Sequence, residues 1–455
     1  GGAFVHGAGD HAHALTERLD RVLLHPVGGT AVFALVMGGL FWTIFALANV
    51  PMDLIDLVIA RAADGAARVL PAGAVSELIT EGIIGGVGAT VIFLPQIVIL
   101  FFLISLLEGT GYLARAALLM DRVFRPFGLP GHSFVPLLSA HACAIPAIMS
   151  CRGVPGRRER LATILVAPFL SCSARIPVYV LLTGLLFAGR PALAGLAFAG
   201  CYVLGAIAAL TTAVLFRKTI LRGTPRPMAM DLPDYKRPSV RAAAMITLDR
   251  ARSFLKKAGT VIVAMMVVLW WLGEYPHNDA PEQATELREQ AETLEDTAPD
   301  EALTLRQDAD RIETRHAGRS SFLGRAGRTV QPVFEPLGFD WKVTVGVLGS
   351  FAAREVFVST LSVVVAGSDD AERTGVLDRL RRAERDDGTP MLTMATSGSL
   401  LVFYVLAMQC LPTLAVTAQE AGGWRWAALQ FGWMSALAYG AALATYQVLV
   451  LLGFG

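Results

Sequence analysis

The chain has 455 residues, of which 54% are hydrophobic and only 17% are charged. Soluble domains average about a quarter charged residues, so this composition argues against a soluble globule, a disordered chain and a disulfide scaffold. Lys and Arg (39) balance Asp and Glu (38), which leaves a nucleic-acid partner without support. The composition therefore predicts an all-α fold, a polytopic transmembrane helical bundle.

A membrane-spanning helix needs about 20 apolar residues. Eight apolar segments follow one another in the chain, at residues 27–50, 82–107, 161–188, 191–216, 258–273, 343–366, 393–418 and 427–454. A ninth, 132–150, is short and contains two prolines, so we expect a broken or re-entrant helix there. Arg354 and Glu355 interrupt 343–366. If that segment crosses the membrane the chain has eight spans, and if it turns back the chain has seven spans and two hairpins.

The loops indicate the orientation, because Lys and Arg concentrate in cytoplasmic loops. Residues 217–257 carry eleven basic and three acidic side chains, so we expect this loop and the N-terminus in the cytoplasm. Residues 274–322 are acidic and rich in Ala and Leu, which predicts a helical hairpin on the outer face. The chain begins without Met and without a signal-peptide pattern, so we expect it to start inside a longer protein.

An internal repeat appears when the chain is shifted by 210 residues. Residues 113–142 and 323–352 then share ten identities in 30 positions, including a V-F-x-P-x-G core. Three predicted crossings separate the copies, and an odd number inverts the second. Inverted repeats with interrupted helices are typical of secondary transporters, whose substrate site lies near the bilayer midplane. A repeat that only supports packing is the alternative.

The predicted organisation follows from these spans, loops and repeats. It consists of a cytoplasmic N-terminal segment 1–26, two spans with an outer segment 27–112, a first repeat 113–216, a basic cytoplasmic loop 217–257, a membrane helix 258–273, an acidic outer insert 274–322, and a second repeat with the C-terminal helices 323–455.

Polar side chains beside helix breakers are the candidates for a site. Cys143, Cys172 and Cys410 each lie within a few residues of a proline in a broken apolar segment. One such cysteine is ordinarily a small apolar filler, which is how we interpret Cys151 and Cys201, whereas three in broken segments favour a shared site. Thiolate, imidazole and carboxylate groups together suit Fe²⁺ or Zn²⁺ and not Mg²⁺ or Ca²⁺. Charged residues inside a membrane are costly and functional by default. The candidates of this kind, with their polar neighbours, are Glu108, His141, Ser171, Ser173, Arg175, Arg354 and Glu355.

Several enzyme signatures are absent from the sequence. It contains no C-x-x-C pair, no G-x-x-x-x-G-K-[ST] loop, no H-E-x-x-H and no nucleophile elbow. These absences give no support to a structural zinc site, an NTPase or a hydrolase. We therefore expect no enzymatic activity and no permanently bound cofactor in this chain.

Residues 93–182, which include LLSAHACAIPAIMSC and APFLSCSARIP, closely resemble the membrane region of FeoB-type ferrous iron transporters. The segments SFLKKAG, PLGFDW and AAREVFVSTL add to this resemblance, which covers nearly the whole chain. It implies import of Fe²⁺ across the bacterial inner membrane by two Gate-type motifs. It also implies metal-contact roles for Cys143, Cys172, Cys410 and Glu355.

This chain departs from the family pattern at several positions. Ala142 and Ala144 flank Cys143 where the family usually has Gly and Asn, Gln409 precedes Cys410 where Pro is usual, and Arg354 stands where Lys is common. Family members usually carry an N-terminal G domain, which this sequence lacks. GTP and Mg²⁺ would then act only through that absent domain. The resemblance also suggests small cytoplasmic Feo accessory proteins and a second copy of the chain as partners, beside the lipid bilayer.

Other functions stay open at this point. The same architecture would suit a carrier of another divalent metal, or of an organic solute such as a nucleoside, although reading a base would need amide and hydroxyl clusters. A scaffold that binds without transport is the third alternative.

Overall fold

The computed structural model describes residues 16–17, 20–71, 73–223, 235–276, 281–294, 299–351, 354, 357–358, 361, 380–381, 383, 385 and 388–455. Regular structure in these residues is helical, without a β-strand, which confirms the predicted all-α class. Six helical segments among them are long and apolar enough to cross a membrane: Val27–Val69, Ala74–Gly109, Arg157–Leu186, Pro191–Thr219, Met394–Ala421 and Trp424–Leu451.

The first helix, α1 (Pro26–Val69), has 44 residues. Because an α-helix rises 1.5 Å per residue, α1 is about 66 Å long, roughly twice the 30 Å hydrocarbon thickness of a bilayer. The predicted span 27–50 is therefore only its first part. The residues that follow include several charged side chains, and they continue the same helix because this stretch is rich in the good helix formers Ala, Leu and Arg.

The chain returns through a series of shorter helices. These are α2 (Ala74–Glu77), a π-helical stretch (Leu78–Ile84), α3 (Gly85–Val91) and α4 (Leu94–Gly109). Helix α4 packs against α1. The predicted span 82–107 is thus confirmed as helical, with a break before α4.

The first repeat contains two interrupted segments followed by one long helix. Its helices are α5 (Tyr112–Phe124), α6 (Phe134–Ala140), α7 (Ala144–Ser150), α8 (Arg157–Val166), α9 (Ile176–Leu186) and α10 (Pro191–Thr219). Residues 141–143, here named break 1, separate α6 from α7, and these two short helices pack against each other. Residues 167–175, named break 2, separate α8 from α9. The predicted broken helix at 132–150 is confirmed.

The segment between the repeats is more helical than the sequence predicted. Helix α11 (Val240–Phe254) continues through a π-helical turn (Leu255–Gly259) into α12 (Thr260–Glu274). Residues 240–254 of the predicted basic loop 217–257 are thus helical, and its cytoplasmic location stays a prediction. The hydroxyl of Ser239 accepts the amide N–H of Ala242 at 3.3 Å, which caps the helix, and α11 packs along α4.

The acidic insert forms the predicted helical hairpin. Helices α13 (Glu282–Leu294) and α14 (Pro299–Ser320) pack side by side. Their buried residues are alanines spaced seven apart, Ala284 and Ala291 on α13, and Ala302 and Ala309 on α14. Small side chains along one face of each helix allow the two backbones to approach closely.

The second repeat reproduces the first at the predicted offset. Its described helices are α15 (Phe322–Phe334), α16 (Trp341–Gly349), α17 (Met394–Leu406), α18 (Leu411–Ala421) and α19 (Trp424–Leu451). Helix α15 begins and ends 210 residues after α5. A three-residue 3₁₀ turn follows each, and then a left-handed glycine, Gly128 with φ 85° and Gly338 with φ 83°. Residues 407–410, named break 3, separate α17 from α18 as break 2 separates α8 from α9.

Burial sorts the long segments into two groups. In their most apolar stretches, the interrupted segments Arg157–Leu186 and Met394–Ala421 are 67% and 78% buried, whereas the unbroken α10 and α19 are 22% and 17% buried. Irregular backbone at membrane depth is tolerated only inside protein or against a wet cavity. The breaks therefore lie in the interior of the bundle, and α10 and α19 lie on its periphery.

A polar cluster joins the N-terminal segment to the first repeat. The buried guanidinium of Arg115 donates to both carboxylate oxygens of Asp20, from Nε at 2.8 Å and Nη2 at 3.4 Å. The hydroxyl of Tyr235 donates to the same carboxylate at 3.0 Å, and its ring lies 4.0 Å from the Arg115 guanidinium carbon. This cluster thus joins the segments that precede α1 and α11 to the start of α5.

Candidate functional site

The three candidate cysteines occupy the same kind of position. Cys143 directly precedes α7, Cys172 precedes the 3₁₀ turn that leads into α9, and Cys410 precedes α18. All three have extended backbone conformations. A helix N-terminus presents unpaired N–H groups and a partial positive charge, which favours an anionic group such as a thiolate. Each cysteine therefore lies at the N-terminal end of a helix or helical turn.

Ser173 connects break 1 to break 2. Its hydroxyl donates to the carbonyl oxygen of Ala142 at 3.0 Å, and its amide N–H points to the same oxygen at 3.4 Å. Ala142 directly precedes Cys143, and Ser173 directly follows Cys172. The two predicted metal contacts thus belong to loops that are held together by one side chain.

Arg175 connects break 2 to break 3. Its side chain is fully buried, with Nη1 donating to the Phe169 carbonyl at 3.1 Å, and Nη2 to those of Pro168 at 3.1 Å and Ala407 at 3.3 Å. Carbonyls in an interrupted helix have lost their usual amide partners. The guanidinium supplies donors in their place and ties the two repeats together.

Arg354, which belongs to the second repeat, also binds the backbone of break 3. It is 5% exposed, and its Nε and Nη2 donate to the carbonyls of Gln409 at 3.3 Å and Ala407 at 3.4 Å. The amide of Leu411 donates to the Phe351 carbonyl at 3.1 Å. Glu355, the predicted second-gate carboxylate, lies outside the described residues. Breaks 1, 2 and 3 and the chain around Phe351 therefore form one hydrogen-bonded junction.

The supporting residues divide between this junction and its surroundings. Ser171 is buried and its hydroxyl pairs with that of Tyr179 at 3.0 Å. Nδ1 of His141 lies 3.3 Å from the Leu137 carbonyl, and its ring stacks parallel to that of Tyr202 with centroids 6.3 Å apart. These contacts give both side chains a structural role in positioning breaks 1 and 2.

Glu108 lies apart from the junction, at the exposed end of α4. It lines a cavity of about 610 Å³ whose wall also includes Ser139, His132 and Arg250. The carbonyl of Ser139 accepts the amide N–H of Cys143 at 3.1 Å. The cavity thus leads from the surface beside Glu108 to the turn of chain that carries Cys143.

An ion pair joins the ends of two cysteine-capped helices. Helices α7 and α18 pack against each other, and just beyond them Arg152 makes a bidentate contact with Glu420. Nε of Arg152 donates to Oε2 at 2.7 Å and Nη2 donates to Oε1 at 2.6 Å. The hydrogen bond to Glu420 raises the pKa of Arg152, so the guanidinium stays charged. The pair holds the first and second repeats together at the helix ends remote from Cys143 and Cys410.

The structure does not assemble the predicted ligands into a chelate. Among the described residues, no group of three or more His, Cys, Asp and Glu side chains is close enough to hold a metal ion. The hydroxyl of Thr413 donates to Sγ of Cys410 at 3.0 Å. The metal-contact assignments for Cys143, Cys172, Cys410 and Glu355 therefore stay predictions.

Sequence reasoning missed two polar residues at the junction. Gln409 and Tyr404 are completely buried, and the amide oxygen and nitrogen of Gln409 and the hydroxyl of Tyr404 have no hydrogen-bond partner among the residues that the structure describes. In the sequence, Gln409 stands out only as a departure from the usual Pro-Cys pair. Its isolation within an apolar run was the available signal, since buried amides are normally paired.

Comparison with known proteins identifies the family. The sequence model of the Gate family, described as nucleoside recognition, matches residues 90–186 and 255–424. The model described as ferrous iron transport protein B C terminus matches residues 198–250. The chain belongs to the FeoB family. The Gate matches cover the interrupted segments of both repeats, and the second match covers most of α10 together with α11.

Curated relatives extend the FeoB match over nearly the whole chain. The Fe(2+) transporter FeoB of Leptospira biflexa is 40% identical over 96% of this chain and 60% of its own length. That of Helicobacter pylori (strain 26695) is 33% identical over 96% of this chain and 67% of its own length. A Porphyromonas gingivalis protein described as a fusion of Fe(2+) transport protein A with FeoB is 36% identical over 96% and 52%. The chain thus spans about 60% of the length of its Leptospira relatives. No solved structure matches it.

Proposed function

We propose that this chain forms the membrane pathway through which Fe²⁺ is imported across the bacterial inner membrane, with the N-terminus in the cytoplasm. The observation that carries the proposal is the shared position of the three cysteines. Each begins a helix at a break, and the breaks are joined to one another through Ser173, Arg175 and Arg354. Soft thiolate ligands favour transition metals over Mg²⁺ and Ca²⁺, and ligands on different helices can release an ion as well as bind it.

The geometry suggests how an ion is passed along. Cys143 and Cys172 belong to the first repeat and Cys410 to the second, so an ion that contacts all three bridges the repeats. Because the described residues hold no ready cluster of three ligands, we infer that the arriving ion draws the thiols together. The cavity lined by Glu108 and Ser139 is the route that we propose between the surface and break 1.

We assign no chemical step to this chain. Its residues bind, orient and release a cation, and a nucleotide-driven step belongs to the additional length of the longer relatives. The polar cluster of Asp20, Arg115 and Tyr235 is the place where such a step would reach the membrane core, because it joins the segment before α1 to α5. Accessory Feo proteins and a second copy of the chain are further proposed partners.

The decisive experiment is uptake of radioactive Fe²⁺ by proteoliposomes carrying the intact protein. We expect Cys143→Ser and Cys172→Ser each to reduce the initial rate at least tenfold, because a hydroxyl replaces a soft ligand with a hard one. Cys201→Ser is the matched control, since the Cys201 thiol only donates to the Ala197 carbonyl at 3.3 Å within the unbroken α10. Unchanged uptake by the double variant of Cys143 and Cys172 would overturn the assignment.

The same vesicles test the alternatives. Competition by Zn²⁺ or Mn²⁺ at equal concentration measures selectivity among divalent metals. A labelled nucleoside, offered with and without Fe²⁺, tests the activity that the Gate description suggests. Nucleoside uptake that ignores the cysteine variants would replace the iron proposal with an organic-solute carrier, and binding without any flux would favour a scaffold.

A further inference from the structure

The side chains of Arg175 and Arg354 are both buried at break 3. The guanidinium groups of Arg175 and Arg354 converge on the carbonyl oxygen of Ala407, at 3.3 and 3.4 Å. Neither forms an ion pair with a carboxylate among the residues that the structure describes. A buried charge left without a counter-ion is strongly unfavourable. Negative charge placed close to the two guanidinium groups would therefore stabilise the junction.

The unpaired atoms around these arginines are mostly hydrogen-bond donors. They include Nη1 of Arg354, Nε of Arg175, the amide group of Gln409 and the hydroxyl of Tyr404. The Tyr404 hydroxyl lies beside the side chains of Gln409 and Ser350 without an aligned hydrogen bond to either. Arg354 also bonds the Gln409 backbone carbonyl, so these groups belong to one neighbourhood. The amide oxygen of Gln409 can only accept, and the hydroxyl of Tyr404 can donate or accept.

We propose that break 3 binds a small monovalent anion, with chloride as the natural occupant, through Nη1 of Arg354, Nε2 of Gln409 and the hydroxyl of Tyr404. A monoatomic anion accepts hydrogen bonds from any direction, which suits donors that come from separate parts of the chain. A water molecule would satisfy some donors and leave the positive charge in place. The anion neutralises this charge beside the cysteines, where a passing divalent cation would otherwise be repelled.

Anion binding can be measured without iron transport. The intact protein is purified in gluconate with a metal chelator, and its unfolding temperature is followed as chloride or bromide replaces gluconate at constant ionic strength. A ligand that binds only the folded state raises the unfolding temperature as its concentration increases. We expect a saturable rise with both halides and none with gluconate.

Variants locate the effect at break 3. Gln409→Leu and Tyr404→Phe each remove one donor, and we expect the halide concentration at half-saturation to increase at least tenfold. The same exchange at the exposed Gln447 on α19 is the control and keeps the wild-type response. If Gln409→Leu fails to fold, the milder Tyr404→Phe carries the test, since it removes a single oxygen.

Two results would overturn the proposal. The first is a wild-type unfolding temperature that does not change between gluconate and halide, which would mean that water fills the site. The second is a halide response that appears only in Glu355→Gln, which would identify the neighbouring carboxylate as the counter-ion. Both results come from measurements without iron, so failure of the anion site is distinguishable from failure of the proposed function, which the uptake assay tests separately.

Discussion

Gly205 on α10 is the position where a single methyl group tests the architecture of break 2. A Cβ atom there would lie 2.7 Å from the backbone oxygen of Phe169 and 3.5 Å from Oγ of Ser171. The Phe169 oxygen already accepts a hydrogen bond from Arg175, so it cannot move away without disturbing that contact. Gly205→Ala should therefore displace the loop that carries Cys172.

The magnitude follows from two opposed effects. Overpacking a tight interior contact costs about 1–3 kcal/mol, whereas replacing Gly by Ala inside a helix gains about 1 kcal/mol. Gly200, on the same helix, has no atom near its Cβ position, so Gly200→Ala isolates the helix gain. We expect Gly205→Ala to be about 1–3 kcal/mol less stable than Gly200→Ala and to lose most of its Fe²⁺ uptake.

The measurement pairs thermal unfolding in detergent with initial uptake rates in proteoliposomes, at matched protein amounts. A loss of uptake with little loss of stability would mean that the loop shifts as the contact predicts. If Gly205→Ala matches Gly200→Ala in both measurements, α10 does not support break 2. The contact between Gly205 and the backbone oxygen of Phe169 then does not affect Fe²⁺ uptake.

Three further predictions concern contacts outside break 2. Arg152→Gln should lower the free energy of unfolding by about 1–3 kcal/mol, because Glu420, 7% exposed, loses two charge-assisted hydrogen bonds. It should also raise the passive leak of ions from vesicles, because this ion pair joins the two repeats. Equal leak in wild type and variant would contradict a role of the ion pair in keeping the pathway closed. Burial, reinforced by the hydrogen bond to Asp20, raises the pKa of Tyr235. Its stabilising contribution is therefore complete below about pH 10 and is lost at higher pH, and Tyr235→Phe should remove this alkaline loss in a pH series of unfolding temperatures. Ala291→Leu should force α13 and α14 apart, since Ala291 is fully buried; faster proteolysis of residues 281–320 with unchanged uptake is expected, and a parallel loss of uptake would show that the hairpin is part of the pathway.

Periodicity and repeats predicted most of the fold. The 210-residue offset located α15 from α5 to the residue, because the same turn with its left-handed glycine ends both helices. Hydropathy could not show that α1 continues for 19 residues beyond residue 50, since a polar helix outside the membrane carries no apolar signal. The same limitation hid α11, whose partner is α4 and not lipid.

The candidate site was predictable in part. Cysteines near prolines pointed to Cys143, Cys172 and Cys410, but their common position before a helix depends on backbone geometry that composition does not encode. Arg175 was singled out as an intramembrane charge, yet its role as a bridge to Ala407 needs the fold, because 232 residues separate the two. Gln409 was overlooked since a single amide in an apolar run has meaning only once its surroundings are known to lack partners.

The length of α1 has a mechanical consequence. Helix α1 is continuous over about 66 Å, with Pro51 inside it, and its first turn lies close to the contact between Asp20 and Arg115. A tilt of about 10° around Pro26 would displace Val69 by roughly 11 Å. Small movements close to Asp20 would thereby become larger displacements at the far end of α1. The position of a spectroscopic label near Val69 would therefore report on movements of the segment that precedes α1.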